Sequence, residues 1–545
     1  MDHTKSNNFI QFQENAVTLT HPDILPGGAV AAIPSKSHAH RLLIAAALSH
    51  TPVRLICPTT SRDIDATVDC LRAMGAEIIR TEDGFLCRGI HAETGASDLQ
   101  VPGANDAAKG PSSPSGSTAY EPTLSDTRNL DVGESGSTLR FLLPVLGALG
   151  MNAAIHMQGR LSQRPLSPLY EEMCRHGVTL SPAGSNPLLC HGQMSSGTYE
   201  INGGVSSQYI TGLLFALPLL PENSRLVITG KLESRPYVDI TLKVLREFGI
   251  TIHSTELTRG NAALLFDIPG GQAYHPVSSN IREAEHFTCP VEGDWSNAAF
   301  FLTAGALLEN PVTVTGCDLN SPQGDKAIVS LLQEFGAEIE ITSSEESGGS
   351  DDSGKYDDPG KYDDPGKYDD SGKYDDPGKS DNHDKSDDFR ESNDFDRSDN
   401  PAMPYKSAIT IRGGHLKGIS IDAENIPDLV PILSVAAAFA EGITKIRHIE
   451  RLRIKESDRV ATVLEMLSRL GADADLVHDP SGDLIRISGR ASLPGGRVSS
   501  HNDHRIAMAA AIASLRCSGP VTIEDPMAVR KSYPGFYEDL GRLLS

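Results

Sequence analysis

Apolar residues recur along this chain in a helical rhythm that repeatedly stops at a glycine. The segments "VDCLRAMGAEI", "YEEMCRHGVTL", "LKVLREFGITI", "VSLLQEFGAEIEI", "LEMLSRLGADADL" and "FYEDLGRLLS" each place apolar side chains three and four positions apart. That spacing predicts amphipathic helices, and the glycine is a C-cap in the left-handed conformation that other residues adopt poorly. After most of these glycines the pattern switches to alternation, the mark of a half-buried strand. A second set of helices, rich in Ala and Leu, follows polar clusters: "PSKSHAHRLLIAAAL", "GESGSTLRFLLPVLGAL", "GGVSSQYITGLLFALPLL", "GDWSNAAFFLTAGALL", "IPDLVPILSVAAAFA" and "HNDHRIAMAAAIA", with "IKESDRVATVLEML" similar at its start.

The cap glycines are 75, 177, 249, 336, 471 and 541, at intervals of 102, 72, 87, 135 and 70 residues. Two polar stretches disturb the period. One runs from 343 to 406 and contains a lysine every six residues, in repeats of the form "KYDDPG". The other, 92–128, is rich in Gly, Ser, Pro and Ala. With both set aside, a six-fold repeat of about 70 residues remains. Each unit reads strand, helix, strand, helix, strand, strand. The last unit ends at its helix, whereas the N-terminus starts with "AVTLT" and "GGAVAAIP", strands without a preceding helix. These two strands are expected to complete the sixth unit, which makes a domain of 1–34 with 273–545. Residues 35–272 form the other, with a crossover near Ile268–Pro276, and 92–128 and 343–406 are insertions. The acidic repeat has good turn residues and no apolar periodicity, so disorder is expected there.

Charge changes the picture less than the total suggests. The net charge is -24, but 343–406 holds 20 acids and 9 bases, leaving -13 for the other 481 residues. Eight cysteines show no metal-type or disulfide-type spacing, which points to a reducing compartment. No apolar run reaches the ~18 residues of a membrane span. The N-terminus has neither a signal h-region nor a transit-peptide composition. A soluble, cytoplasmic protein is expected.

The chemistry lies in the polar clusters. Ser, Thr, Asn and Asp there are ordinary N-caps. Lys36, Arg41, Arg140, Arg459 and Arg505 are not, because a cation near a helix N-terminus opposes the macrodipole. Bases at a positive helix end make sense when an anion sits between them. Arg164 in "LSQRPLS" and Lys531 in "VRKSYPG" extend the set. "PSKS" lacks the glycines of a P-loop. His38, His40, His501 and His504 have no companion ligands at metal spacing, so a metal is not expected. Trp295 reads as packing, and nothing basic and aromatic points to nucleic acid.

Taken in order, "PSKSHAHR", "ESGSTLR", "QRPL", "VSSQYITGLL", "ESRPYVDIT", "VEGDWSNAA", "IPDLVP", "RIKESDR", "NDHRIAM" and "DPMAVRKSYP" resemble the EPSP synthases, the 3-phosphoshikimate 1-carboxyvinyltransferases. The resemblance runs from about Gly27 to the C-terminus. It implies the enolpyruvyl transferase fold, a two-domain inside-out α/β barrel with three βαβαββ units per domain. It also implies transfer of the enolpyruvyl group of phosphoenolpyruvate to the 5-hydroxyl of shikimate 3-phosphate, in the shikimate route to aromatic amino acids, without cofactor, metal or macromolecular partner, in a monomer.

By the same resemblance, Lys36 contacts both substrates, and Ser37 and Arg41 hold the shikimate part. Gly136, Arg164, Gln208, Arg459, Arg505 and Lys531 face phosphoenolpyruvate. Ser206, Ser207, Gln208, Ser234 and Lys455 surround shikimate 3-phosphate, with Tyr237 a weaker candidate. Asp428 accepts the 5-hydroxyl proton, and Glu456 serves proton transfer at the methylene carbon. Arg140 stands beside the cleft. Two departures are visible: Glu134, where the family often has Asn, and His38, where it has a small polar residue. The sister enzymes that use UDP-N-acetylglucosamine have a motif like "GAKNA" in place of "PSKS", so the phosphoshikimate reading is preferred. A scaffold protein working through its acidic repeat would have no need for the intact set of charged motifs.

Overall fold

A computed structural model describes residues 9–20, 27–90, 127–257, 262–277, 282–283, 286–343, 407–480 and 482–544. The stretches expected as insertions lie outside the described residues apart from their ends. Six sheets carry the fold among the described residues and share one four-strand order, to which one of them adds Arg282–Glu283 at its edge. In one of them Thr198–Asn202 runs parallel to Ser224–Thr229, which pairs antiparallel with Ala262–Ile268, and that strand pairs antiparallel with His253–Glu256. Helices Ser207–Ala216 and Arg235–Glu247 connect them, giving the βαβαββ unit. The helical crossover is what a parallel pair requires, and the closing pair needs only a hairpin.

Each unit contributes two helices of different character. Arg62–Ala73, Arg235–Glu247, Ile328–Phe335, Arg459–Arg469 and Phe536–Leu543 bury one face. Lys36–Leu48, Gly136–Ala148, Ser207–Ala216, Trp295–Leu307, Val430–Ala438 and His504–Ala513 are buried nearly all round. Their Ala, Gly and Leu content suits that position, since a helix enclosed on every side can be apolar throughout. Three of them lie in a core running from Ala39 to Val291. The other three lie in a core built from Val17–Ala32 and Trp295–Leu544. Trp295 is fully buried in the second, its indole N–H on the Asp318 carbonyl at 3.0 Å.

Five of the six cap glycines, 75, 177, 249, 336 and 471, have positive φ between 74° and 110°. Gly541 does not cap a helix. It lies within Phe536–Leu543, which continues because Leu543 and the following Leu544 are buried in the core.

The N-terminal strands depart from expectation. Ala16–Leu19 does complete the sixth unit, pairing with Val521–Glu524, but its hairpin partner is Ile10–Phe12. Gly28–Ala31, within "GGAVAAIP", instead runs parallel to Val312–Thr315 and leads the fourth unit. Reciprocally, His286–Pro290 runs parallel to Val53–Ile56 and leads the first. Phe287, Cys289 and Val291 bury in the first core, beyond the expected boundary at 272. The chain therefore passes between cores twice, and the two passages are bonded to each other. Ser35 N–H donates to the Glu292 carbonyl at 2.7 Å, and Asp294 N–H to Ile33 at 2.8 Å.

The acidic stretch begins and ends on a paired hairpin, with Ser343 opposite Ser407. A long loop in place of a turn costs only about 0.6 kcal/mol per doubling of its length. Excising Ser344–Tyr405 and closing the hairpin with a short turn is expected to leave the melting temperature equal or slightly higher, and turnover unchanged. Calorimetry and an assay of the chain's activity check this, and a folded but inactive deletion would contradict it.

Candidate active site

The six enclosed helices start at one place. A single cavity is lined by Lys36 and Ser37, Ser137, Ser207 and Gln208, Ser296, Asp428 just ahead of Val430–Ala438, and His504 and Arg505. These residues open the six helices, three from each core. Ser35, Ser135, Ser206, Asp294 and Asp503 cap five of them, each accepting a backbone N–H of the first turn. The macrodipoles thus sum to positive potential at one point. Side chains add to it: seven bases line the cavity against three carboxylates, Asp294, Asp428 and Glu456. His504 adds no charge at neutral pH, since burial, then Lys36 and Arg505, hold its pKa well below the usual value. The arrangement fits a ligand with several negative charges.

Of the expected residues, Lys36, Ser37, Arg41, Arg164, Ser206, Ser207, Gln208, Ser234, Asp428, Lys455, Glu456 and Arg505 line this cavity, and Arg140 joins them. Lys36 Nζ donates to Asp63 at 2.9 Å. Arg41 is 2% exposed. Its Nε donates to Thr241, Nη1 to the Ser37 carbonyl, and Nη2 to Thr211 and the Tyr237 carbonyl, which leaves one of five N–H groups for a ligand. Gln208 is held at both ends, donating to Ser137 at 2.9 Å and accepting from Arg140 at 3.0 Å. The buried Nε of Arg164 has no hydrogen-bond partner among the described residues.

Gly136, Arg459 and Lys531 stand behind the lining. A Cβ at Gly136 would come within 2.5 Å of Arg140 Nη1 and 2.8 Å of Arg164 Nη1, so only glycine lets both guanidinium groups close on this helix start. Arg459 is buried among three carboxylates, donating to Asp428 at 2.7 Å, Glu456 at 2.7 Å and Asp503 at 2.8 Å. Lys531 donates to Glu134 and to the Asn502 carbonyl, both at 2.7 Å.

Asp428 is where these contacts meet. Besides Arg459, it accepts from Tyr237 Oη at 2.9 Å, Arg505 at 3.2 Å and Lys455 at 3.3 Å. Burial alone would raise its pKa, but Arg505, Lys455 and Arg459 outweigh that and hold it well below the usual carboxylate range. Glu456 is also held low, with Arg459 the strongest influence opposing its burial.

Asp325 behaves in the opposite way. Burial, then the charge of Asp428, raise its pKa from 3.8 to about 6. It accepts a short hydrogen bond from Ser296 and stands 3.5 Å from Tyr237 Oη, so the phenol lies between two carboxylates of different basicity.

Sequence reasoning missed Asp325 and Arg451. Arg451 lines the cavity and donates from Nη1 to Ser234 Oγ at 2.7 Å. Ser234 itself has φ 54° before the helix Arg235–Glu247, which turns its hydroxyl toward this guanidinium. A base four residues before Lys455 in "RLRIK" was the available signal for Arg451. Asp325 had only the turn glycine beside it: a Cβ on Gly324 would meet the Asn425 carbonyl at 2.8 Å. The histidines weighed as ligands are dispersed, His38 on the Glu292 amide, His40 on Thr67 and His501 on Glu465.

Known proteins share the sequence pattern and the fold of this chain. The family model for EPSP synthase (3-phosphoshikimate 1-carboxyvinyltransferase) matches residues 26–101, 113–356 and 404–540, and its gaps fall inside the two polar stretches. The 3-phosphoshikimate 1-carboxyvinyltransferase of Clostridium perfringens is 34% identical over 519 residues, 95% of this chain and 96% of that protein. That of Clostridium kluyveri is 34% identical over 517 residues, 95% of each. Among solved structures, EPSP synthase from Acinetobacter baumannii superposes with a TM-score of 0.65 at 22% identity, covering 97% of this chain and 98% of that one. The enolpyruvyl transferase NikO from Streptomyces tendae gives 0.59 at 16%, covering 97% of each. The fold is therefore that of the enolpyruvyl transferases. With the family pattern running through all six units and relatives aligned over nearly their whole length, the chain belongs to the EPSP synthase family.

Proposed function

We propose that the cavity binds shikimate 3-phosphate at its Ser206, Ser207 and Ser234 end and phosphoenolpyruvate between Arg164 and Arg505, with Asp428 as the base of the reaction. The chain transfers the enolpyruvyl group of phosphoenolpyruvate to shikimate 3-phosphate and releases phosphate. The 5-hydroxyl oxygen forms a bond to C2 of phosphoenolpyruvate while its proton passes to Asp428, and C3 takes a proton from the Lys36 ammonium, with Glu456, an ionised carboxylate, as the acceptor when C3 gives a proton back. C3 then returns a proton, the C2–O bond to phosphate breaks and phosphate leaves. Lys36, Gly136, Gln208, Arg459 and Lys531 support the phosphoenolpyruvate side, whereas Ser37, Arg41, Lys455 and Arg451 support the shikimate side.

The observation that carries this reading is the set of donors around Asp428. An ion-paired carboxylate is a poor base, because a useful base has a pKa near the working pH. Two phosphates and a carboxylate entering the cavity compete with Asp428 for Arg505 and Lys455. Once those cations turn to the ligands, burial of Asp428 is opposed mainly by Arg459 and its basicity rises. Substrate binding and activation of the base are then one event. The two cores act as two domains that close on the ligands. A monomer in a reducing cytoplasm is part of this reading, the compartment supported by eight cysteines without disulfide partners. Among the described residues no helix is long and apolar enough to cross a membrane.

Phosphate release is expected with phosphoenolpyruvate plus shikimate 3-phosphate and not with UDP-N-acetylglucosamine as acceptor. Asp428→Asn is expected to lower kcat by about 10²–10⁴-fold, with shikimate 3-phosphate affinity within a few-fold of wild type by calorimetric titration. Near-normal turnover in that variant would remove Asp428 from the role.

Asp325 yields a separate test of stability. Its pKa of about 6 lies above its ordinary value, so as pH rises from 4 to 6 the unfolded chain releases this proton first and stability falls. Asp325→Asn removes the ionisation. The variant is expected to match wild type near pH 4 and to exceed it by up to roughly 3 kcal/mol above pH 7, read from denaturant midpoints.

A further inference from the structure

Glu134 lies outside the cavity lining, and no step of the reaction above uses it. Its carboxylate, carried by the first core, is nevertheless held from the second. It precedes the helix Gly136–Ala148 of the first core, while its partners come from the second. Lys531 Nζ donates to Oε2 at 2.7 Å, and Asn502 Nδ2 lies 3.1 Å from each oxygen. Lys531 also donates to the Asn502 carbonyl at 2.7 Å, which closes a ring of three residues. On the first-core side Gly159 has φ 56°, and a Cβ there would come within 2.7 Å of Glu134 Cδ. The backbone angle calls for glycine there, and its lack of a side chain leaves room for the Glu134 carboxylate. Asn502 and its neighbour His501 have φ of 55° and 50°, a loop bent to present this amide.

Lys531 is 5% exposed. A cation so enclosed needs an anion beside it. Glu134 supplies one only two residues from Gly136, at the helix start assigned above to phosphoenolpyruvate. We propose that Glu134 is a resident anion, holding Lys531 in the unliganded enzyme, and that phosphoenolpyruvate must take Lys531 from it. Glu134 therefore sets the affinity for the enolpyruvyl donor and favours ligands whose charge is high enough to compete. This inference rests on the assignment of Lys531 to phosphoenolpyruvate.

The test uses the full chain as wild type, Glu134→Gln, Lys531→Met and the double variant. Gln keeps the hydrogen bond to Asn502 and removes the charge. In Glu134→Gln the KM for phosphoenolpyruvate is expected to fall roughly three- to five-fold, the worth of a partly exposed ion pair, with the KM for shikimate 3-phosphate unchanged. In the Lys531→Met background the same substitution is expected to change neither. Inorganic phosphate, titrated against the melting temperature, gives a second reading that does not need turnover: half-saturation at lower phosphate in Glu134→Gln than in wild type, with no such difference on the Lys531→Met background. An unchanged or raised KM in Glu134→Gln, or an equal gain without Lys531, overturns the proposal. Absence of turnover in wild type with both substrates overturns the parent reading instead, and the phosphate titration still decides whether Glu134 competes with an anion.

Discussion

Positive potential gathered at one point is the constraint on which the rest of this molecule depends. Six enclosed helices direct their N-termini at a cavity already crowded with lysine and arginine. Such an arrangement repels itself, and a folded chain can hold it only with negative charge nearby. Part of that charge belongs to the protein: Asp63 on Lys36, Asp428 on Arg459, Arg505 and Lys455, Glu456 on Arg459, and Glu134 on Lys531. The remainder is the natural place of the substrates. The internal carboxylates make the unliganded site tolerable.

The fold is the means of bringing six helix starts together. A single βαβαββ unit cannot enclose its Ala- and Leu-rich helix, and three units packed together can. Two such groups then have to face each other. The exchange of leading strands, Gly28–Ala31 into one core and His286–Pro290 into the other, places the helix starts Lys36 and Trp295 directly after the two passages between cores. Lys36 N–H donates to Asp294, the cap of the other helix, at 2.9 Å. The two passages between cores and the cavity are thus continuous.

Much of this was legible in the sequence because it is local. A glycine C-cap, an alternating strand and a polar N-cap each declare themselves within a few residues, and six recurrences fixed the unit. The misplacement of "GGAVAAIP" has the opposite cause: a parallel strand carries no local sign of its partner, and Val312 lies almost 300 residues away. Gly541 failed because the cap rule presumes a chain that must turn, whereas here the helix end is held by two buried leucines. Among site residues, bases at helix starts stood out because they violate the dipole rule. Arg451 breaks no rule within its short 3-10 turn, and only the left-handed Ser234 facing it gives it a role.

Asp428 and Asp325 show how one environment can hold two carboxylates in different states. Both are enclosed, and both lie within reach of Tyr237 Oη. Asp428 has three cations around it and stays ionised, whereas Asp325, given mainly a serine hydroxyl and the neighbouring negative charge, is easily protonated. On the proposed reading, ligands that draw Arg505 and Lys455 away narrow the difference, because what kept Asp428 acidic is then shared with phosphate. A proton taken by Asp428 would in turn relieve the repulsion that raises Asp325. Tyr237 bridges the two, so a change at one carboxylate is felt by the other.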